Sequence, residues 1–217
     1  MTILITNTEI TFDNGSTRTS AGWPRRAIFA YGWYLTTRSE AILVSEIGIP
    51  GFDLSGTGTA RYALAAASFG RERAIFGYGF NSSAVYQNVT NIVDFRGIQS
   101  SNVSGIGTAR VQLAAAGYGG DKAIFGYGGT GSVLSLTNLV SNIGVVAADT
   151  TGVGTARNAL AAATYGGDKS IFGYGSDWTT GSCYSLTNLI SNTGVVATDT
   201  TGVGTARSYL VASSFGA

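Results

Sequence analysis

The feature that most constrains this chain is a repeat. The stretch GDKAIFGYG at residues 120–128 returns as GDKSIFGYG at 167–175, and in altered form as RERAIFGYG and RRAIFAYG nearer the N-terminus. Ile28, Ile75, Ile124 and Ile171 open this segment at spacings of 47, 49 and 47 residues. A second marker, the arginine of a Thr-Ala-Arg triplet, falls at Arg61, Arg110, Arg157 and Arg207, with Gly48, Gly97, Gly144 and Gly194 each 13 residues ahead of it. A unit of roughly 48 residues is too small to hold an adequate core by itself, so copies of it must bury their apolar surface against one another.

Within the best-formed unit, residues 155–204, four short strands are expected: RNALAAATYG, KSIFGYG, CYSLTNLI and GVVATD. They are separated by the Gly, Asp, Asn, Ser and Thr that turns require. The LAAA runs favour helix by propensity, but each is about four residues long and is closed by an aromatic-glycine pair, too short for a stable helix. With 32 Gly, 2 Pro, 44% apolar and only 12% charged residues, the composition suits tightly turned β structure. A four-stranded unit at this interval predicts an all-β fold, a small β-propeller of four blades of about 48 residues. The Ala-rich runs at 64–67, 113–116 and 160–163 suit the crowded innermost strands of a narrow ring. In KSIFGYG, strand alternation sets Ile171, Gly173 and Gly175 on one face and Phe172 and Tyr174 on the other, so two rings of one blade should meet glycines of the next.

In each intact repeat the arginine precedes the isoleucine by 14 residues (61 to 75, 110 to 124, 157 to 171), whereas Arg207 opens RSYLVASSFG with no second strand after it. The C-terminal strand is therefore expected to join the N-terminal blade at Ile28 and close the ring, removing an exposed sheet edge. Residues 25–217 then form the propeller. Residues 1–24 fall outside it and read as an arm or hairpin turning at Asp13-Asn14-Gly15.

An arginine opening the first strand, a glycine-terminated second strand and a third strand with Leu and Asn resemble the kelch repeat. The unit departs from kelch in having Gly-Tyr-Gly where an adjacent glycine pair is expected, and in lacking a tryptophan before its fourth strand. The longer form NLVSNIGVVAADTTGVGTAR followed by AIFGYG resembles a repeat of bacteriophage structural proteins. ITFDNGSTRTSAG, residues 10–22, resembles the I-x-F-x-D-G-T-x-Q-T-x-A segment of phage tail fibres, with Asn14 in place of Asp and Arg18 in place of Gln. These resemblances imply a non-enzymatic virion structural protein, assembled in the bacterial cytoplasm and joined to other virion proteins through the N-terminal arm. A homo-oligomeric tail fibre or adhesin contacting host-surface glycan leads. A capsid decoration protein and a free carbohydrate-binding lectin are the alternatives.

The residues themselves offer little chemistry. Thirteen Lys and Arg against 12 Asp and Glu are spread singly, which supplies no basic stripe for nucleic acid. No apolar run approaches a membrane span and no leader pattern is present, so a soluble chain without membrane insertion is expected. There is no histidine, and the single cysteine, Cys183, reads as a small apolar filler. No cofactor and no metal site is expected. GYGGTG at 126–131 matches the dinucleotide fingerprint in letters, but a strand follows it where a helix N-terminus is needed. Asp121 and Asp168 read as solvated turn residues. Asp149 and Asp199 read as caps of local amides, with a calcium site as the other reading.

Two sets of residues remain. Arg61, Arg110, Arg157 and Arg207 would form a ring able to hold an anion, or would hydrogen-bond neighbouring carbonyls. The segments between second and third strands (33–40, 80–84, 129–133 and 176–182) differ most between repeats, so the framework does not need their sequence. Trp33, Tyr34, Phe80, Asn81, Asp177 and Trp178 on them are candidates to stack on sugar or to anchor a protein.

Overall fold

The computed structural model describes residues 26–70 and 72–215, together with the backbone of three short strands ahead of them. Those three, β1 (Leu4–Ile5), β2 (Glu9–Thr11) and β3 (Thr17–Thr19), pair antiparallel in that order. The expected hairpin thus has its strands in β2 and β3, while its turn at Asp13-Asn14-Gly15 lies outside the described residues.

Among the described residues every regular element is a strand, and the fold is all-β. β4 (Ala27–Tyr34) and β5 (Thr36–Val44) form a two-stranded sheet. β6 (Ala65–Phe69), β7 (Arg73–Gly77) and β8 (Thr90–Val93) form the next, with β7 in the middle. β9 (Ala114–Tyr118) and β10 (Lys122–Gly126) are followed by a small hairpin, β11 (Gly129–Thr130) and β12 (Ser132–Val133), and then by β13 (Thr137–Val140), which pairs with β10. β14 (Ala161–Tyr165), β15 (Lys169–Gly173), the hairpin β16 (Ser176–Asp177) and β17 (Ser182–Cys183), and β18 (Thr187–Ile190) repeat that plan. The register is conserved: Ile75 faces Ala67, Ile124 faces Ala116 and Ile171 faces Ala163. The Ala-rich runs are thus strands, because each is short and must lie beside an apolar neighbour.

The expected fourth strand is reduced to two bridges per repeat: Thr90 to Val103 and Val93 to Gln99, then Thr137 to Thr150 and Val140 to Val146, then Thr187 to Thr200 and Ile190 to Val196. Between those points the Asn138 side chain donates to the Ala147 carbonyl at 3.0 Å, as Asn91 does to Ser100 and Asn188 to Ala197. A side chain has taken the acceptor that a continuous ladder would use.

The sheets meet through rings and glycines. Cζ of Phe125 lies 2.8 Å from where a Cβ on Gly77 would sit, and Cζ of Phe172 lies 2.5 Å from the equivalent point on Gly126. Each ring also meets a tyrosine edge-on, Phe125 with Tyr78 at 5.1 Å and Phe172 with Tyr127 at 5.2 Å between centroids. Phenylalanine reaches back to the preceding repeat and tyrosine forward to the following one, so the expectation that both share a face is corrected. Its cause is backbone: Tyr78, Tyr127 and Tyr174 have φ of 68°, 63° and 63°, which ends the strand at the glycine before them and breaks the alternation. In the third-to-fourth turns, a Cβ on Gly144 would meet Ile92 and Phe69, and one on Gly194 would meet Leu139 and Tyr118.

First-strand segments follow one another in file: Gln112 N donates to Ala63 O, Ala159 N to Gln112 O and Tyr209 N to Ala159 O, all at 2.9 Å. Residues 207–215 take the last place, held also by Gly175 N on Arg207 O at 3.0 Å and by Ser214 Oγ on Thr164 O at 2.8 Å. The expected pairing of this segment with β4 is not seen among the described residues. β4 pairs with β5 alone, and Val211 and Phe215 are 95% and 99% exposed. The file holds the segment to β14, and among the described residues it does not reach β4. Cys183 is corrected as well: it lies exposed in β17, where the hairpin lifts it off the core.

Candidate functional site

Arg61, Arg110 and Arg157 are fully buried. Each stacks on a tyrosine of the repeat before it, at 4.2 Å from Tyr31, 4.3 Å from Tyr78 and 4.2 Å from Tyr127. Arg110 donates from Nε to Tyr127 O at 2.8 Å, from Nη1 to Thr108 O at 3.0 Å and from Nη2 to Asn138 Oδ1 at 2.7 Å. Arg157 repeats the set on Tyr174, Thr155 and Asn188. Burial pulls these guanidinium groups below their ordinary pKa, and burial pushes the Tyr78 phenol up to about 12. The anion-ring reading is corrected: Arg110 and Arg157 give their donors to the chain's own oxygens and face no solvent, and Arg61 does so from Nη1 and Nη2 while its buried Nε has no partner among the described residues. Arg207 stacks on Tyr174 at 4.6 Å but is exposed.

Asp149 and Asp199 complete this centre, through a partner far away in sequence. Asp149 Oδ2 accepts from the Thr108 amide at 2.9 Å and hydroxyl at 2.7 Å, while its Oδ1 accepts from Asn138 at 2.9 Å and lies 3.8 Å from Arg110 Nη1. Asp199 does the same for Thr155, Asn188 and Arg157. The capped amides lie 41 and 44 residues upstream, so the caps are not local. Both oxygens of each carboxylate already have donors, an arrangement built for amides and hydroxyls. Among the described residues no group of three or more His, Cys, Asp or Glu gathers to hold a metal.

Partial burial raises the pKa of both carboxylates. The Thr, Asn and Arg contacts outweigh it, so both fall below the usual range. A depressed folded value means stability that is present above the unfolded value, near 4, and is lost as pH falls through the folded one. The second repeat provides the comparison, because Asn102 stands there, accepting from Thr59 N at 3.1 Å and donating to Thr59 Oγ1 at 2.7 Å. The double replacement Asp149→Asn, Asp199→Asn is expected to keep the neutral-pH melting temperature near that of the parent and to lose less of it at about pH 3. Equal losses in the two proteins on acidification would refute this assignment.

Of the predicted loop residues, Trp33 and Tyr34 are 65% and 67% exposed. The segment 33–40 is not a loop: β4 runs through Tyr34, Leu35 turns the chain at φ 60°, and β5 begins at Thr36. Phe80 packs edge-on against Tyr62 at 5.8 Å and Tyr86 at 5.0 Å. Asn81 accepts from the amides of Ser83 and Val85, both at 3.0 Å, and Asp177 accepts from the amide and hydroxyl of Thr179. The Trp178 ring lies over Gly129, 2.6 Å from where its Cβ would be. The Tyr86 hydroxyl accepts from Gly131 N at 3.3 Å. Contacts therefore link the segments of the second, third and fourth repeats, with Asn81 and Asp177 serving as turn caps.

Two concavities stand out. One, of about 480 Å³, lies at the opposite ends of the strands and is lined by Arg26, Phe69, Arg73, Asp94, Tyr118 and Lys122 among others. Its sequence signal was the charged pair in each first-to-second turn, such as Asp121-Lys122. The other, about 640 Å³ and more open, is a shelf on β4 and β5 lined by Ile28, Ala30, Tyr31, Ile42 and Asp53 among others. Comparison of the chain with protein-family models and with curated proteins gives no match.

Proposed function

We propose that this chain is a non-enzymatic structural and attachment component of a bacteriophage particle, a kelch-like four-bladed propeller in which residues 207–215 supply the first strand that the leading blade lacks. The reading joins the repeat and tail-fibre resemblances to one observation. Arg61, Arg110 and Arg157, with Asp149 and Asp199, are absorbed in the framework, while Trp33 and Tyr34 stand exposed at the tip of the β4–β5 hairpin. Large aromatics held at a rigid tip can stack on sugar or fill a pocket in a protein. Host-surface glycan is the ligand class, with tail fibre or adhesin ahead of capsid decoration because residues 10–22 resemble the tail-fibre segment.

Immunogold electron microscopy of particles, with antibody against this chain, tests the reading. Label at the tail tip is expected, together with at least a tenfold loss of binding to host polysaccharide for Trp33→Ala with Tyr34→Ala. Label over the head would make it a decoration protein, and particles free of label would overturn the proposal in favour of a free lectin.

A further inference from the structure

The second and third interior junctions are built from the same three contacts, while in the first Ala30 stands in place of the glycine and Gly97 meets Leu43 alone. A phenylalanine of the following repeat sits on a glycine of the preceding one, Phe125 on Gly77 and Phe172 on Gly126. A turn glycine of the following repeat sits on an aliphatic and an aromatic side chain of the preceding one, Gly144 on Ile92 and Phe69, Gly194 on Leu139 and Tyr118. The glycine three residues before the arginine sits on the amide or carboxylate of the following repeat: Gly58 on Asn102, Gly107 on Asp149, Gly154 on Asp199.

At the two ends of the array each contact has only one of its halves. At the trailing end, a Cβ on Gly173 would touch only Thr187, at 3.5 Å, and one on Gly204 would have nothing nearer than the Tyr174 hydroxyl at 3.6 Å. Leu189 and Tyr165, counterparts of Leu139 and Tyr118, are exposed there. At the leading end, Phe29 is 68% exposed and Gly48 meets nothing within 4 Å among the described residues. Asp53, counterpart of Asn102, lines the open shelf. Each missing half at one end is present at the other: Phe29 for Gly173, Gly48 for Leu189 and Tyr165, Asp53 for Gly204. The strand to be docked is also preshaped. Tyr209 has φ 56°, matching 53°, 54° and 50° at Ala63, Gln112 and Ala159, where the other first strands begin.

We infer that the trailing end of one copy docks on the leading end of a second copy, residues 207–215 entering the shelf as a strand beside β4. The inference rests on reading the repeats as blades that lack one first strand. The occupant is another copy because the chain holds its own 207–215 against β14 and, among the described residues, leaves β4 paired with β5 alone. The interior registers, Ser68 with Ala74, Gly117 with Ala123 and Thr164 with Ser170, place Ser214 opposite Ala27. Facing strand residues at such a distance can form a disulfide. The contact is head-to-tail, so it generates closed rings or filaments of several chains.

The test uses the full chain with Cys183→Ser throughout, one variant carrying Ala27→Cys and another Ser214→Cys. Mixed and mildly oxidised, the two are expected to give a cross-linked species of two chains, which neither forms alone in that register. The parent protein should show a light-scattering mass above that of one 22.3 kDa chain. Two results overturn the inference. If the variant carrying both cysteines links within a monomer and the mixture gives nothing, closure is internal, and the ring reading stands without the second copy. If neither preparation links and the parent is monomeric, the ring reading falls as well.

Discussion

Alanine in place of Arg110 is expected to lower the unfolding free energy by about 3–5 kcal/mol, the cost of breaking a buried charged network by removing one partner. The loss strands the Tyr127 and Thr108 carbonyls and Asn138 Oδ1 in a buried site, and takes the cation from the Tyr78 ring. Lysine should recover little, because a single ammonium cannot reach three acceptors arranged for a planar fork. The internal control is Arg207, which has the same stacking on tyrosine but is exposed. For Arg207→Ala a loss of about 1 kcal/mol or less is expected in the isolated monomer. Denaturant titration of both variants decides the matter. Equal losses would mean that the arginines are not held by the junction but act independently of it.

The second large effect is at Phe172, which is fully buried against Gly126 and Tyr127. Phe172→Ala is expected to cost about 3–5 kcal/mol through lost transfer energy and the cavity left between two sheets. Phe29 is its counterpart in sequence and stands in solvent. Phe29→Ala should therefore leave the melting temperature of the dilute monomer almost unmoved. A large drop for Phe29→Ala under those conditions would show that its ring is already covered within the chain.

The repeat, the strands and the complementarity of rings to glycines were legible because they follow from spacing and side-chain volume. The all-β fold followed from runs too short for helices. The carbonyl-binding reading of the arginines was also within reach, since a cation repeated once per unit in a chain with little charge must be satisfied locally. What escaped was set by backbone or by distant partners. The tyrosines read as strand residues, yet their left-handed φ turns them toward the next repeat. Asp149 and Asp199 looked like local caps, but the amides they cap belong to a segment more than 40 residues upstream. The irregular fourth strand could not be foreseen without knowing that Asn91, Asn138 and Asn188 take its carbonyls. Segment 33–40 carried loop-like polarity because a two-stranded hairpin with much of its surface in water needs few apolar residues.

The shared make-up of the second and third junctions bears on how such a chain can change length. Each unit holds both its phenylalanine and its arginine against the unit before it, so the energetics are those of nearest neighbours. Duplicating or deleting the third unit restores these contacts at the scar, because the units on either side of it meet the same surfaces. A cut at any other length leaves a ring without its glycine or a guanidinium without its oxygens. Recombination within the repeated codons can therefore lengthen or shorten the array, but only in whole steps. The hairpin tips take no part in these three contacts and meet through pairs of their own, Trp178 on Gly129 and Tyr86 on Gly131, so they can diverge where those pairs are kept.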